Sequence, residues 1–146
     1  MPTVRVSVVT PLDRAEVVCR LTDFGPGRAD AWANVDAGSV TVHGQGPGWA
    51  DVTEGNKIGW ERERYTWDVD AGTVSAATSD SNLWAPGSGW DYKITQQPGG
   101  TLVEVTARRI GKGIKGKLVG AVLAIFGKSL IKSSTAAALK PGRMPR

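Results

Sequence analysis

Apolar and polar positions alternate with a period of two through most of the middle of the chain. The clearest case is Trp90, Tyr92 and Ile94 interleaved with Asp91, Lys93 and Thr95. That alternation predicts a strand with one covered and one solvated face. Comparable stretches rich in β-branched and aromatic residues occur at 3–9, 39–43, 49–53, 58–68, 73–79, 88–96 and 101–110, which predicts about seven strands. Turn-forming groups separate most of them: Gly44-Gln-Gly-Pro-Gly, Glu54-Gly-Asn, Asp70-Ala-Gly, Ala85-Pro-Gly and Pro98-Gly-Gly. Connections this short favour an antiparallel meander.

The period changes in two places. Leu12, Ala15 and Val18 or Cys19 recur at helical spacing after Thr10-Pro11, with Asp13 and Glu16 near the start. A short helix is expected from about Pro11 to Thr22, with threonine as a cap and proline in the first turn. Phe24-Gly-Pro-Gly breaks it, and residues 28–32 form a second short helix. After Gly113, the residues Ile114, Leu118, Val122, Ile125, Phe126 and Ser129 fall on one helical face, with Lys117, Lys128 and Lys132 near another. This helix is expected to run to about Leu139 and stop at Pro141-Gly142. Gly116, Gly120 and Gly127 each cost it about 1 kcal/mol of helix propensity, so they mark close packing on the sheet or a bend. Strands grouped together, with helices towards the ends, give an α+β domain. It is expected to span residues 1–140 and to leave 141–146 as a flexible tail.

Composition narrows the class. The chain has 146 residues, 40% hydrophobic and 22% charged, ordinary values for one globular domain. A single cysteine, Cys19, excludes an internal disulfide and a cysteine-based zinc site. The start Met-Pro-Thr-Val-Arg-Val-Ser has no apolar signal core. The longest apolar run is Leu118–Phe126, far short of the roughly 20 residues of a membrane span. A soluble, cytoplasmic protein is expected. The net charge of +4 hides an asymmetry: all 14 acidic residues lie in 1–104, whereas 105–146 hold 10 Lys/Arg and no Asp or Glu. The plain interpretation is a solvated helix face that complements an acidic sheet. The alternative is contact with phosphate on a membrane surface or nucleic acid.

Four segments carry a resemblance to a known superfamily. They are Val6-Ser-Val-Val-Thr-Pro-Leu-Asp-Arg-Ala-Glu-Val, Gly59-Trp-Glu-Arg-Glu-Arg-Tyr-Thr-Trp, Gly99-Gly-Thr-Leu-Val-Glu-Val-Thr and the terminal helix. In this order they resemble the START-like superfamily, in particular its polyketide cyclase/dehydrase-like branch, the SRPBCC proteins. The resemblance covers about residues 3–139. It implies a helix-grip fold: a curved antiparallel sheet, two short helices, and a long C-terminal helix over a cavity. It also implies a small hydrophobic ligand, such as a lipid or a polyketide-like molecule. Most members are binding proteins and a minority are cyclases or dehydratases, so it carries no shared catalytic set. Fold alone does not fix function.

Gly111-Lys-Gly-Ile-Lys-Gly-Lys matches the start of a phosphate-binding loop, but Leu118 stands where a magnesium-binding hydroxyl is required. Too little chain follows for a parallel-sheet nucleotide fold. His43, the only histidine, has no metal-ligand spacing around it and is expected on a strand surface. Cys19 is expected to be a packed helix residue rather than a nucleophile. No metal and no cofactor are expected.

The six tryptophans are Trp32, Trp49, Trp60, Trp67, Trp84 and Trp90. They are core residues first, and in a cavity fold some become pocket walls. Interleaved aromatic and basic residues also suit single-stranded nucleic acid, but here the tryptophan-rich strands are acidic, so no nucleic-acid partner is expected. Residues 60–67 place Trp60, Arg62 and Arg64 on one face and Glu61, Glu63, Tyr65 and Trp67 on the other. Alternation alone does not say which face is concave; Trp60, Arg62 and Arg64 are expected inside. The candidate cavity residues are then Trp32, Trp60, Arg62, Arg64, Trp90, Tyr92, Leu118, Val122 and Phe126. A carrier is the leading expectation. A cyclase or dehydratase would need an arginine or carboxylate of residues 61–64, or Asp80, in the pocket beside Tyr92. A third possibility is weak contact of the basic C-terminal helix with an anionic membrane surface.

Overall fold

A computed structural model describes residues 3–32 and 34–141. The expected tail, 141–146, lies outside the described residues except for Pro141. The elements follow in the order β1 (Thr3–Thr10), α1 (Arg14–Leu21), α2 (Arg28–Ala31), β2 (Thr41–Gly46), β3 (Trp49–Gly55), β4 (Trp60–Asp68), β5 (Thr73–Ser81), β6 (Gly89–Gln97), β7 (Gly100–Arg108) and α3 (Gly113–Ala138). The strands form one seven-stranded sheet in the order β1-β7-β6-β5-β4-β3-β2, antiparallel throughout. This is the α+β helix-grip arrangement expected from the sequence.

Register decides what shares a face. Ala50 pairs with Tyr65, Tyr65 with Ala76, Ala76 with Trp90, Trp90 with Ala107, and Ala107 with Val4. Because directly opposed residues point the same way, one row of side chains crosses six strands on the concave face. A parallel row runs Val74, Tyr92, Val105, Val6. Val74, Ala76, Val103, Val105 and Ala107 are almost fully buried, and Val17, Val18 and Leu21 of α1 join the same core.

Two details differ from expectation. The N-cap of α1 is Asp13, whose carboxylate accepts from the Glu16 amide at 2.8 Å. Thr10 instead donates its hydroxyl to the Leu139 carbonyl at 2.8 Å. Arg20 donates to the Lys140 carbonyl at 2.7 Å, so β1 and α1 together satisfy carbonyls at the end of α3. In addition, β2 continues past His43 to Gly46, through an irregularity between Val42 and Gly44.

The orientation of α3 is the main correction. Its buried face carries Gly116, Gly120, Gly127, Ile131, Thr135 and Ala138. Ile114, Leu118, Val122, Ile125 and Phe126 point outward and are 51–82% exposed. Glycine explains the choice. A Cβ at Gly116 would lie 2.3 Å from the Leu83 carbonyl oxygen, and one at Gly127 would lie 3.2 Å from a Val4 methyl. The helix reaches the sheet only through its small face. At Gly120 a Cβ would meet nothing closer than the Trp84 ring at 3.8 Å, so packing does not demand glycine there.

Gly111 has the same explanation as Gly116, whereas Gly113 has open space around its Cβ position and is required by its φ of +68°. A Cβ at Gly111 would lie 2.7 Å from the Gly116 carbonyl oxygen, Gly111 bridges Trp84, and the Lys112 amide donates to Leu83 at 2.8 Å. Gly111 and Gly116 serve the close entry of α3 onto the loop after β5.

Candidate functional site

A cavity of about 500 Å³ lies between the concave face and α3. Its floor comes from β3, β4 and β6, one wall from α2, and its roof from Val119, Leu123, Leu130, Ile131, Ser134 and Thr135 of α3. The loop after β5 supplies Leu83 and Trp84. Ser81 shapes that loop: its hydroxyl accepts from the Leu83 and Trp84 amides at 3.0 and 3.1 Å and donates to the Trp60 carbonyl at 2.8 Å.

Three glutamates and two arginines face this space. On β3, the alternation Ala50, Val52, Glu54 carries a carboxylate onto the apolar face. Arg28 of α2 grips Glu54 with two bonds, Nε to Oε1 at 2.9 Å and Nη2 to Oε2 at 3.1 Å. The Tyr65 hydroxyl donates to Glu54 Oε2 at 2.6 Å and accepts from Arg28 Nη2 at 3.0 Å. The Arg28 guanidinium also lies 4.8 Å from the Phe24 ring centroid and 5.6 Å from that of Trp32. Burial opposes the charge on Arg28, but Tyr65 and Glu54 outweigh it and push its pKa above the ordinary value.

Arg109, just past β7, makes a second two-pronged pair with Glu61, both bonds at 2.9 Å. Its guanidinium sits 5.0 Å from both the Trp84 and the Trp90 ring centroids. The paired geometry gives each arginine one carboxylate, charge-assisted and planar.

Glu63 is the third carboxyl, and no arginine among the described residues takes it. It pairs across the sheet with Val52 on one side and Thr78 on the other. It is 3% exposed, and its Oε2 has no hydrogen-bond partner among the described residues. Burial, reinforced by Glu61 and Glu54, pushes its pKa well above the usual carboxylate range. Trp32 lines the same cavity, and its buried indole N–H also lacks a partner among the described residues. Tyr65 and Tyr92 have raised pKa values, first through burial, so both keep their hydroxyl protons.

Of the nine expected cavity residues, Trp32, Trp60, Trp90 and Tyr92 line the space, with Trp60 at its rim. The other five lie elsewhere. Arg62 is on the opposite face of β4, where it pairs with Asp51 at 2.8 and 2.9 Å. Arg64, also on that face, stacks 4.6 Å from the Trp49 ring centroid. Leu118, Val122 and Phe126 are on the outer side of α3. The inward side of β4 is the Glu61, Glu63, Tyr65 side, because its partners Ala50, Val52 and Ala76 are fully buried.

Arg28, Glu54 and Arg109 were not among the expected cavity residues. A signal for two of them was present. Glu54 and Arg109 each end an alternating apolar row, Ala50-Val52-Glu54 and Val103-Val105-Ala107-Arg109. Asp80 is exposed, 3.9 Å from Lys112. His43 is an exposed strand residue 2.7 Å from the Thr53 hydroxyl. Cys19 is exposed rather than packed, and its pKa is raised by partial burial and then by Glu16 and Asp23, which does not favour thiolate chemistry. Among the described residues, no three His, Cys, Asp or Glu side chains are grouped to hold a metal ion, and no helix is long and apolar enough to cross a membrane.

No protein-family model matches the chain, and no curated protein sequence matches it. Solved structures do. A START superfamily protein from Mycobacterium smegmatis superposes with a TM-score of 0.73 at 12% identity, over 94% of this chain and 96% of that one. A Thermus thermophilus protein gives 0.73 at 18%, over 94% and 97%. The Zhui aromatase/cyclase from a Streptomyces species gives 0.72 at 15%, over 94% and 88%. At these identities the likeness establishes the fold: the chain has the START-like, polyketide cyclase-like architecture.

Proposed function

We propose that the chain binds a small, predominantly apolar molecule in the cavity beneath α3 and works as a carrier or binding protein. The cavity itself supports this most directly. Its volume suits a small ligand, and Trp32, Trp60, Trp84, Trp90 and Tyr92 give it aromatic walls around a few fixed polar groups. Lipids and polyketide-like molecules are the classes that match such a lining. A carrier is favoured over a cyclase or dehydratase because Glu54 and Glu61, the natural bases, are each closed into a bidentate pair with an arginine. Purified protein should enhance and blue-shift Nile red fluorescence. Val119→Trp and Leu123→Trp, which push bulk into the cavity from α3, should each raise the dye's Kd about tenfold or more with Tm little changed. Equal binding by all three proteins, or none by the wild type, would overturn the proposal.

The outer face of α3 favours a second role, contact with an anionic membrane surface. Ile114, Leu118, Val122, Ile125 and Phe126 fall within an arc of about 120° at helical spacing. Lys115, Lys117, Lys128 and Lys132 are exposed along the same helix, which carries no acidic residue. Apolar residues bordered by lysines suit a bilayer with negative headgroups. A second copy packed on this face would bring like charges together. The protein should co-sediment with phosphatidylserine-containing vesicles and much less with pure phosphatidylcholine, and Ile125→Ser with Phe126→Ser should abolish binding. Equal or absent binding to the two vesicles removes this role.

A further inference from the structure

The charged groups of the cavity do not balance as carboxylates. Arg28 neutralises Glu54 and Arg109 neutralises Glu61, which leaves Glu63 as a third, buried carboxyl with one oxygen unpartnered among the described residues. An unpaired charge at such a depth costs several kcal/mol, and the group avoids that cost by keeping its proton. A protonated carboxyl is a hydrogen-bond donor. Trp32 lines the same cavity, and its buried indole N–H is a second donor without a partner among the described residues. With the arginines and the other two glutamates already paired to one another, two unused buried donors mark where a ligand's acceptor belongs.

We infer that Glu63 and Trp32 form a donor subsite that holds an uncharged hydrogen-bond acceptor, a carbonyl oxygen on an otherwise apolar ligand, and turns away carboxylates. This inference rests on ligand binding in the cavity and goes further by setting the ligand's polar chemistry. A carboxylate ligand finds both arginines already occupied and adds a negative charge beside Glu54 and Glu61. The groups that surround Glu63 are Glu54 of β3, Glu61 and Tyr65 of β4, Tyr92 of β6, Arg109 after β7 and Arg28 of α2. From α3 the cavity receives only the hydroxyls of Ser134 and Thr135 as polar side chains.

The test compares three ligands of nearly equal size by equilibrium dialysis: 2-acetylnaphthalene, 2-ethylnaphthalene and 2-naphthoate. The ketone is expected to bind about tenfold tighter than the ethyl compound, and the carboxylate more weakly than either. Glu63→Leu and Trp32→Phe should each shrink the ketone preference. Raising the pH until Glu63 ionises should erase it in the wild type. Glu63→Gln, which keeps a neutral donor, should make the preference independent of pH. If the ketone and ethyl compounds bind equally, or the carboxylate binds best, the subsite is refuted while cavity binding stands. If none of the three binds, cavity binding fails and the subsite with it.

Discussion

Replacing Arg28 with alanine is expected to destabilise the protein by about 3–5 kcal/mol, the usual cost of orphaning one partner of a buried ion pair. Arg28 is 5% exposed and Glu54 is 7% exposed, so water does not take over the lost bonds. Two bonds to Glu54, one to the Tyr65 hydroxyl and one to the Leu21 carbonyl disappear together. The Leu21 carbonyl belongs to the last turn of α1, so that helix end is left without its partner. Glu54 would then stand uncompensated beside Glu63. Urea unfolding should show the loss, with a fall in Tm of about 10–15 °C. The double variant Arg28→Met with Glu54→Leu should recover more than half of it, because removing both charges also removes their desolvation cost. A single-variant loss below about 1 kcal/mol would mean that the pair behaves as a surface ion pair.

Glu63→Gln is expected to do the opposite and stabilise the protein at neutral pH. The folded-state pKa of Glu63 is raised by burial and then by Glu61 and Glu54, whereas the unfolded chain titrates near 4.3. Stability from this group is therefore complete below the unfolded value and is lost as pH rises towards the folded one. Across that window the folded state holds a proton that the unfolded state has released, and the slope approaches about 1.4 kcal/mol per pH unit. Glutamine has nearly the same shape and does not titrate. The difference in unfolding free energy between variant and wild type should be constant below pH 4 and grow in favour of the variant above pH 5. A difference that stays flat from pH 4 to 8 would show that Glu63 ionises in the folded protein without penalty.

Both effects arise from residues whose positions were only partly readable. For β6, Trp90, Tyr92 and Ile94 stand against Asp91, Lys93 and Thr95, so one side is plainly apolar and the inward face follows. β4 offers no such contrast, because Trp60 accompanies Arg62 and Arg64 while Tyr65 and Trp67 accompany Glu61 and Glu63. The inward face of that strand was expected to be the arginine side and is the glutamate side. Register with Ala50, Val52 and Ala76 decides it, and register is a relation between strands that no single segment contains.

What the sequence determined by itself was the element order and the antiparallel meander, because these follow from local periodicity and short turns; the helix-grip architecture was what the resemblance implied. Among the nine expected cavity residues, Trp32, Trp60, Trp90 and Tyr92 line the space in the fold, with Trp60 at the rim. What only the tertiary structure decided was which of two apolar stripes of α3 meets the sheet, and which carboxyl is left over when the arginines have chosen. The first was settled by steric approach: Gly116 and Gly127 let backbone come close where Leu118 and Phe126 would hold it away. The second was settled by distance: Arg28 and Arg109 are far from their glutamates in the chain and within 3.1 Å of them in the fold. Glu63 is the carboxyl left over because both of those contacts exist, with no arginine partner among the described residues.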